Sequence, residues 1–280
     1  MSEQSMAGFT VLVTGASDGI GAETARVLHV RGATVHVTGR SAEKLRPVAE
    51  AVGTEPLVAD FSRLDDVRRL AEQVAERAPA IDVLVNNAGG TFAPSTRTHD
   101  GHEPNFQINH LAPFLLTNLL RPQLVAAGLS LVVNTSSIGN LMGRIVLDDL
   151  DYERRRAIEF PAYGTGKLMN IVFTRGIAQR WTGDGILSAA VHPGPVGSSF
   201  GRDSWLVGLL YRSPLKRFAT ISVPDGAAPL VALAERGPDP EINGRYFSRF
   251  SPDGRENRQA SDQAIIDGLW ARSAALVGLA

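Results

Sequence analysis

Short runs of β-branched and other apolar residues alternate along the chain with longer stretches whose apolar positions recur at helical spacing. The first run, residues 9–13, predicts a strand, and 19–31 predicts the helix that follows it. Further strands are expected at 34–38, 56–60, 81–85, 131–135, 187–191 and 242–247. Helices are expected at 42–52, 64–78, 105–125, 162–181 and 225–234, with a last amphipathic segment at 263–277. Seven strands separated by helices predict an α/β fold: a doubly wound, Rossmann-type parallel sheet flanked by helices. Two stretches break the rhythm. Residues 143–161 carry the charged run Asp148-Asp149-Leu150-Asp151-Tyr152-Glu153-Arg154-Arg155-Arg156. Its mixed signs read as a solvated flap, with a binding role the alternative. Residues 196–224 lack a clear phase but carry Phe200, Trp205, Leu206, Tyr211 and Phe218, and read as an apolar substrate lid.

Composition narrows the classes. The 280 residues contain no linker or repeat, so one domain is expected over 1–280, with its dinucleotide-binding part at about 8–195. A hydrophobic fraction of 44% supplies an ordinary core, and a net charge of −1 gives no reason to expect nucleic acid or an anionic membrane as partner. Cysteine is absent, which removes thiolate chemistry, and no metal cluster is evident. The polar N-terminus shows no signal peptide and no apolar run reaches membrane-spanning length. A soluble, cytoplasmic protein is the expectation.

Chemistry-bearing residues fall where such a sheet binds ligands. The turn after the first strand reads Thr14-Gly15-Ala16-Ser17-Asp18-Gly19-Ile20-Gly21. Small residues there let the backbone approach a diphosphate and present N–H groups at a helix N-terminus. The second strand ends in Gly39-Arg40, where a small residue followed by a cation suits a 2′-phosphate, favouring NADP(H) over NAD(H). Asp60 and Phe61 end the third strand, and Asn86-Asn87-Ala88-Gly89 ends the fourth, both at the ligand-binding edge. They read as cofactor contacts, or otherwise as strand-ending caps. Asn109 lies in a helix that disfavours asparagine, and His110 beside it reads as structural. Tyr163 and Lys167 are four apart on one helix, so phenol and ammonium share a face. A cation there favours the phenolate and makes the tyrosine an acid/base. Ser136-Ser137 lies upstream.

In this order Thr14-Gly15-x-x-x-Gly19-x-Gly21, Asn86-Asn87-Ala88-Gly89, Asn109, Ser137, Tyr163-x-x-x-Lys167 and Pro193-Gly194 resemble the short-chain dehydrogenase/reductase family in its classical form. Asp100-Gly101-His102-Glu103, His192-Pro193-Gly194 and Leu269-Trp270-Ala271-Arg272-Ser273 resemble its retinol-dehydrogenase-like branch. The resemblance implies a tetrad. Tyr163 would be the acid/base, Lys167 would lower its pKa and hold a ribose, Ser137 would bond the reacting oxygen, and Asn109 would serve a proton relay. It also implies that Pro193, Gly194, Val196 and Ser198 position the nicotinamide. Gly166 replaces a common serine and is expected to loosen its helix. The implied activity is NADP(H)-dependent hydride transfer between the nicotinamide and a ketone, aldehyde or secondary alcohol of an apolar small molecule. The alternative is a non-catalytic NADP-binding sensor. A homodimer or homotetramer would pair through the helices expected from Asn105 and Ala162.

Overall fold

The computed structural model describes residues 5–195 and 221–279. Seven parallel strands form one sheet in the order β3-β2-β1-β4-β5-β6-β7. They are β1 (Thr10–Thr14), β2 (Thr34–Gly39), β3 (Leu57–Val58), β4 (Val83–Asn86), β5 (Ser130–Thr135), β6 (Ile186–His192) and β7 (Arg245–Ser248). The order reverses between β1 and β4, where Val13 pairs with both Val37 of β2 and Val85 of β4. The crevice at such a reversal is where open α/β sheets take their ligands. The central strands are apolar on both faces because helices cover both, giving two buried clusters.

On one face lie α1 (Gly19–Val30), α2 (Ala42–Ala51) and α8 (Val223–Arg236). On the other lie α3 (Leu64–Arg77), α5 (Ala112–Leu119) and α7 (Glu159–Trp181), with α9 (Gln263–Leu276) packed outside α7. Helix α3 shows why its sequence folds this way: Leu64, Val67, Leu70, Ala71 and Val74 are buried at helical spacing and its other face is charged. None of the described helices is long and apolar enough to cross a membrane.

Three expected elements differ, each for a local reason. The third strand shrinks to Leu57–Val58, because Pro56 has no N–H for the ladder and Asp60 N–H turns away to Asp66 Oδ2 at 3.1 Å. The last strand starts at Arg245, since Asp239 caps a 3₁₀ turn at Pro240–Ile242. The single helix expected at 105–125 is broken. It runs as α4 (Pro104–Phe106), a π-turn (Gln107–Leu111), α5, and α6 (Arg121–Ala126). A proline ring clashes with the carbonyl four residues back, so Pro113 widens the backbone around Asn109, and Pro122 starts a new helix.

Pairing through the helices from Asn105 and Ala162 would need open faces there. Helix α5 is buried along most of its length, and α7 is buried from Ala162 to Thr174. Trp270 of α9 lies against Phe114 at 5.2 Å and Phe173 at 5.7 Å between ring centroids. Part of that surface is therefore covered by the chain's own C-terminal helix.

Candidate active site

At the carboxyl edge of β1 the turn is tight because Gly15 sits at φ 65°, where a Cβ would lie 2.7 Å from Ala88 Cα. The fourth strand's end braces this turn. Thr14 Oγ1 accepts the Asn87 and Ala88 N–H groups, each at 3.0 Å, and Asn87 Nδ2 donates to the Thr14 and Gly15 carbonyls at 3.0 and 3.3 Å. Asp18 caps α1 through Gly19 N–H at 2.7 Å, and Ile20 and Gly21 form the helix's first turn. Ser17 Oγ is buried and meets no hydrogen-bond partner among the described residues. It lies against Gly39, and the next residue, Arg40, is exposed. A glycine cradle and an unsatisfied hydroxyl, with a cationic residue next in sequence to Gly39, suit the phosphates of a dinucleotide. Asp60 accepts Ser62 N–H at 2.9 Å, and the carbonyl of buried Phe61 accepts from Gln107 Nε2 at 3.1 Å. Both shape the strand's end.

The tetrad residues converge at the carboxyl ends of β4 and β5. Tyr163 and Lys167 lie early in α7, with 8% and 2% of their surface exposed. Lys167 Nζ is 5.8 Å from the Tyr163 ring centroid and donates to the Thr135 carbonyl at 3.2 Å. Burial pulls the Lys167 ammonium down from 10.5 to about 8. Gly89 faces this group: a Cβ there would sit 3.1 Å from Lys167 Nζ and would strike Asn109 Oδ1. Asn109 accepts Gly90 N–H at 3.0 Å and donates to the carbonyls of Gly90 (2.9 Å) and Asn105 (3.0 Å), so both its amide protons are used.

The serine pair divides its work. Ser136 Oγ is buried and donates to the Lys167 carbonyl at 2.7 Å. Ser137 is half-buried and caps the 3₁₀ turn Ile138–Met142 through Gly139 N–H at 3.1 Å. Ser137 Oγ and Tyr163 Cε1 lie 3.4 and 3.2 Å from where a Gly139 Cβ would be, so hydroxyl and phenol ring border one small space. Gly166 is not a loosening residue. A Cβ there would lie 2.7 Å from the Asn105 carbonyl, so glycine is what lets α7 seat against α4.

Past β6, Gly194 adopts φ 103° and its N–H points to His192 Nδ1 at 3.4 Å. Burial, then the Arg249 charge, pull His192 down from 6.5 to about 4, leaving it a neutral acceptor. Pro195 and Ile221 are joined by a 2.8 Å backbone bond at the base of the expected lid. Val196, Ser198 and nearly all of the lid fall outside the described residues. His110 is buried against Ser273 Oγ at 2.9 Å, and burial pulls it from 6.5 to about 3.

The charged stretch departs most from expectation. Asp148, Glu153, Arg154 and Arg156 are exposed, as a solvated flap would have them, but the stretch is also held down: Asp149 is 7% exposed and its carboxylate accepts Glu153 and Arg154 N–H. Arg155 stacks on Tyr152 at 3.9 Å, and the Tyr152 hydroxyl donates to Thr165 Oγ1 at 2.8 Å, two residues beyond Tyr163. Asn105 carries much of the site's bonding, and nothing in the sequence sets it apart from an ordinary residue at a helix start.

Comparison with known proteins bears on the family and the fold. The family model described as short chain dehydrogenase matches residues 9–205. A protein of Streptomyces sp. (strain C5), provisionally assigned as a daunorubicin C-13 ketoreductase, is 40% identical over 97% of this chain and 93% of its own. Retinol dehydrogenase 12 of Mus musculus is 38% identical over 97% of this chain and 87% of its own. A crystal structure of an uncharacterized protein from Mycobacterium Paratuberculosis superposes with a TM-score of 0.80 at 33% identity, covering 98% of this chain and 95% of that one.

Proposed function

The chain belongs to the short-chain dehydrogenase family, in its retinol-dehydrogenase-like branch, and from that premise we propose an NADP(H)-dependent carbonyl reductase or alcohol dehydrogenase with Tyr163 as its acid/base. That it is an oxidoreductase acting on CH–OH or C=O groups follows from its relatives. The observation that carries the finer reading is the convergence of Tyr163, Lys167, Ser137 and Asn109 beside the braced glycine turn.

When bound, NADP(H) supplies or accepts the hydride at its nicotinamide. The chain's own residues manage the oxygen. In reduction the Tyr163 hydroxyl gives its proton to the carbonyl oxygen, and in oxidation the phenolate takes it back. Lys167, charged below about pH 8, stands beside the ring and stabilises the phenolate. Ser137 Oγ donates to the reacting oxygen, and its half-buried position supports that role over Ser136. Asn109 would serve the proton relay beside Lys167; both its amide protons are used, so a relay water would meet it at an oxygen. Gly15, Gly19, Gly21, Asn87, Ala88 and Gly89 would shape the diphosphate side, and Pro193 and Gly194 the nicotinamide side.

Ser17 and Arg40 support NADP(H), because a 2′-phosphate would satisfy the buried hydroxyl and meet the guanidinium. NADPH is expected to bind more tightly than NADH in a fluorescence titration, and Arg40→Asp is expected to reverse the order. NADH binding at least as tightly as NADPH in the wild type would remove this assignment. Apolar substrates are the reading for the chemical class: retinol and daunorubicin stand in the names of two relatives, and Ile138 and Met142, in the turn that Ser137 caps, are exposed.

A further inference from the structure

The stretch Asp100-Gly101-His102-Glu103 marks the branch in sequence, but the reaction above gives it no work. In the structure it meets the charged insertion. His102 Nδ1 lies 2.8 Å from Asp151 Oδ2, and Glu103 N–H donates to Asp151 Oδ1 at 3.0 Å. Arg97 Nη1 donates to the Asp151 carbonyl at 2.8 Å. Asp151 thus ties the insertion to the start of α4.

From there the bonds run inward without a gap. Glu103, 1% exposed, accepts Asn105 Nδ2–H on one carboxylate oxygen and Phe106 N–H on the other, both at 2.7 Å. Asn105, fully buried, grips Phe92 on both sides, taking its N–H at 3.0 Å and donating to its carbonyl at 2.8 Å. Asn109 grips Gly90 in the same two-sided way and is itself tied to the Asn105 carbonyl. The loop 90–92, which follows the Gly89 that faces Lys167, therefore hangs on two asparagine forks. Glu103 orients the first fork, and Asp151 orients Glu103. The next residue ties the insertion to α7 as well, through the Tyr152 hydroxyl on Thr165.

We propose that Glu103 and Asp151 are positioning residues: the insertion is a strap that sets the loop 90–92 as a wall of the substrate site, and so governs affinity for the carbonyl compound. This rests on the proposed oxidoreductase reading. Because each fork is a pair of directed bonds, a loss upstream rotates the loop rather than merely loosening the fold. The effect belongs in substrate binding, since the glycine turn is braced separately through Thr14 and Asn87.

The test compares Asp151→Ala, Asp151→Asn and Tyr152→Phe in the full chain. Asp151→Ala is expected to raise KM for a reduced carbonyl roughly tenfold while kcat and NADPH affinity hold within about threefold. Asp151→Asn keeps an acceptor for Glu103 N–H and is expected to recover most of the KM loss. Tyr152→Phe removes the tie to α7 and is expected to raise KM by a smaller factor. Hydrogen exchange on the apoprotein supplies a readout independent of turnover. Asp151→Ala is expected to speed exchange at Gly90 and Phe92 about tenfold or more while residues 15–20 are unchanged. Unchanged exchange at Gly90 and Phe92 overturns the strap, as does a KM equal to wild type with kcat lowered in proportion to folded protein. If the wild type reduces no carbonyl but exchange responds as expected, the strap stands and the assigned reaction fails.

Discussion

Tyr163→Phe is expected to lower carbonyl reduction by roughly 10²- to 10⁴-fold, the range in which a positioned general acid contributes. The substitution removes one oxygen from a ring that is 8% exposed, so the fold has little to repack. NADPH binding is expected to stay within about threefold of wild type, because the glycine turn is braced by Thr14 and Asn87. Steady-state rates with a fluorescence titration check both halves. A variant that keeps wild-type turnover would take the acid/base role from Tyr163. A protein without turnover whose variant keeps cofactor binding and signalling would be the sensor.

Lys167→Met is expected to cost activity and add stability, an opposition that a merely structural lysine would not show. The ammonium is 2% exposed and burial pulls it from 10.5 to about 8. Below about pH 8 the folded and unfolded lysines are both protonated, and the full burial cost, about 3 kcal/mol, stands against the fold. Between about 8 and 10.5 the folded state has released a proton that the unfolded state keeps, so wild-type stability rises with pH there. Methionine fills similar volume without the charge but loses the bond to Thr135, about 1 kcal/mol net. The Thr135 carbonyl still accepts from Asn170 Nδ2 at 3.0 Å and is not orphaned. Urea unfolding is therefore expected to find the variant about 1–2 kcal/mol more stable at neutral pH, the gap closing toward about pH 10. Turnover is expected to fall roughly 10²- to 10³-fold, as when one group stabilising a developing oxyanion is removed. A variant less stable than wild type at pH 7 would mean that Lys167 is not buried as a strained cation.

Much of this site was legible in the sequence because its spacings are local. Tyr163 and Lys167 share a helix turn, the glycine turn joins one strand to its helix, and Gly39-Arg40 ends a strand; each needs only its own element to be right. What was not legible depends on contacts between distant segments. The insertion read as solvated because mixed charges on a loop usually are, but Asp151 meets His102 and Glu103, 49 and 48 residues away in sequence. Gly166 read as a loose point because its reason, the Asn105 carbonyl, lies on another helix. The break in the helix from Asn105 does have a local signal: Pro113 and Pro122 lack the N–H groups that a continuous helix needs. The short third strand has a similar explanation in Pro56.

The central claim joins hydride transfer from NADPH to proton transfer from Tyr163. A single-turnover reaction with NADPH deuterated at both nicotinamide C4 positions, over retinal, an anthracycline ketone, a steroid ketone and an aliphatic ketone, tests it by mass spectrometry of the alcohol formed. The expected result is one deuterium on the carbinol carbon with the wild type and none above background with Tyr163→Phe, although both bind NADPH. Deuterium transferred as readily by Tyr163→Phe, or bound NADPH that gives deuterium to none of these carbonyls, would contradict it.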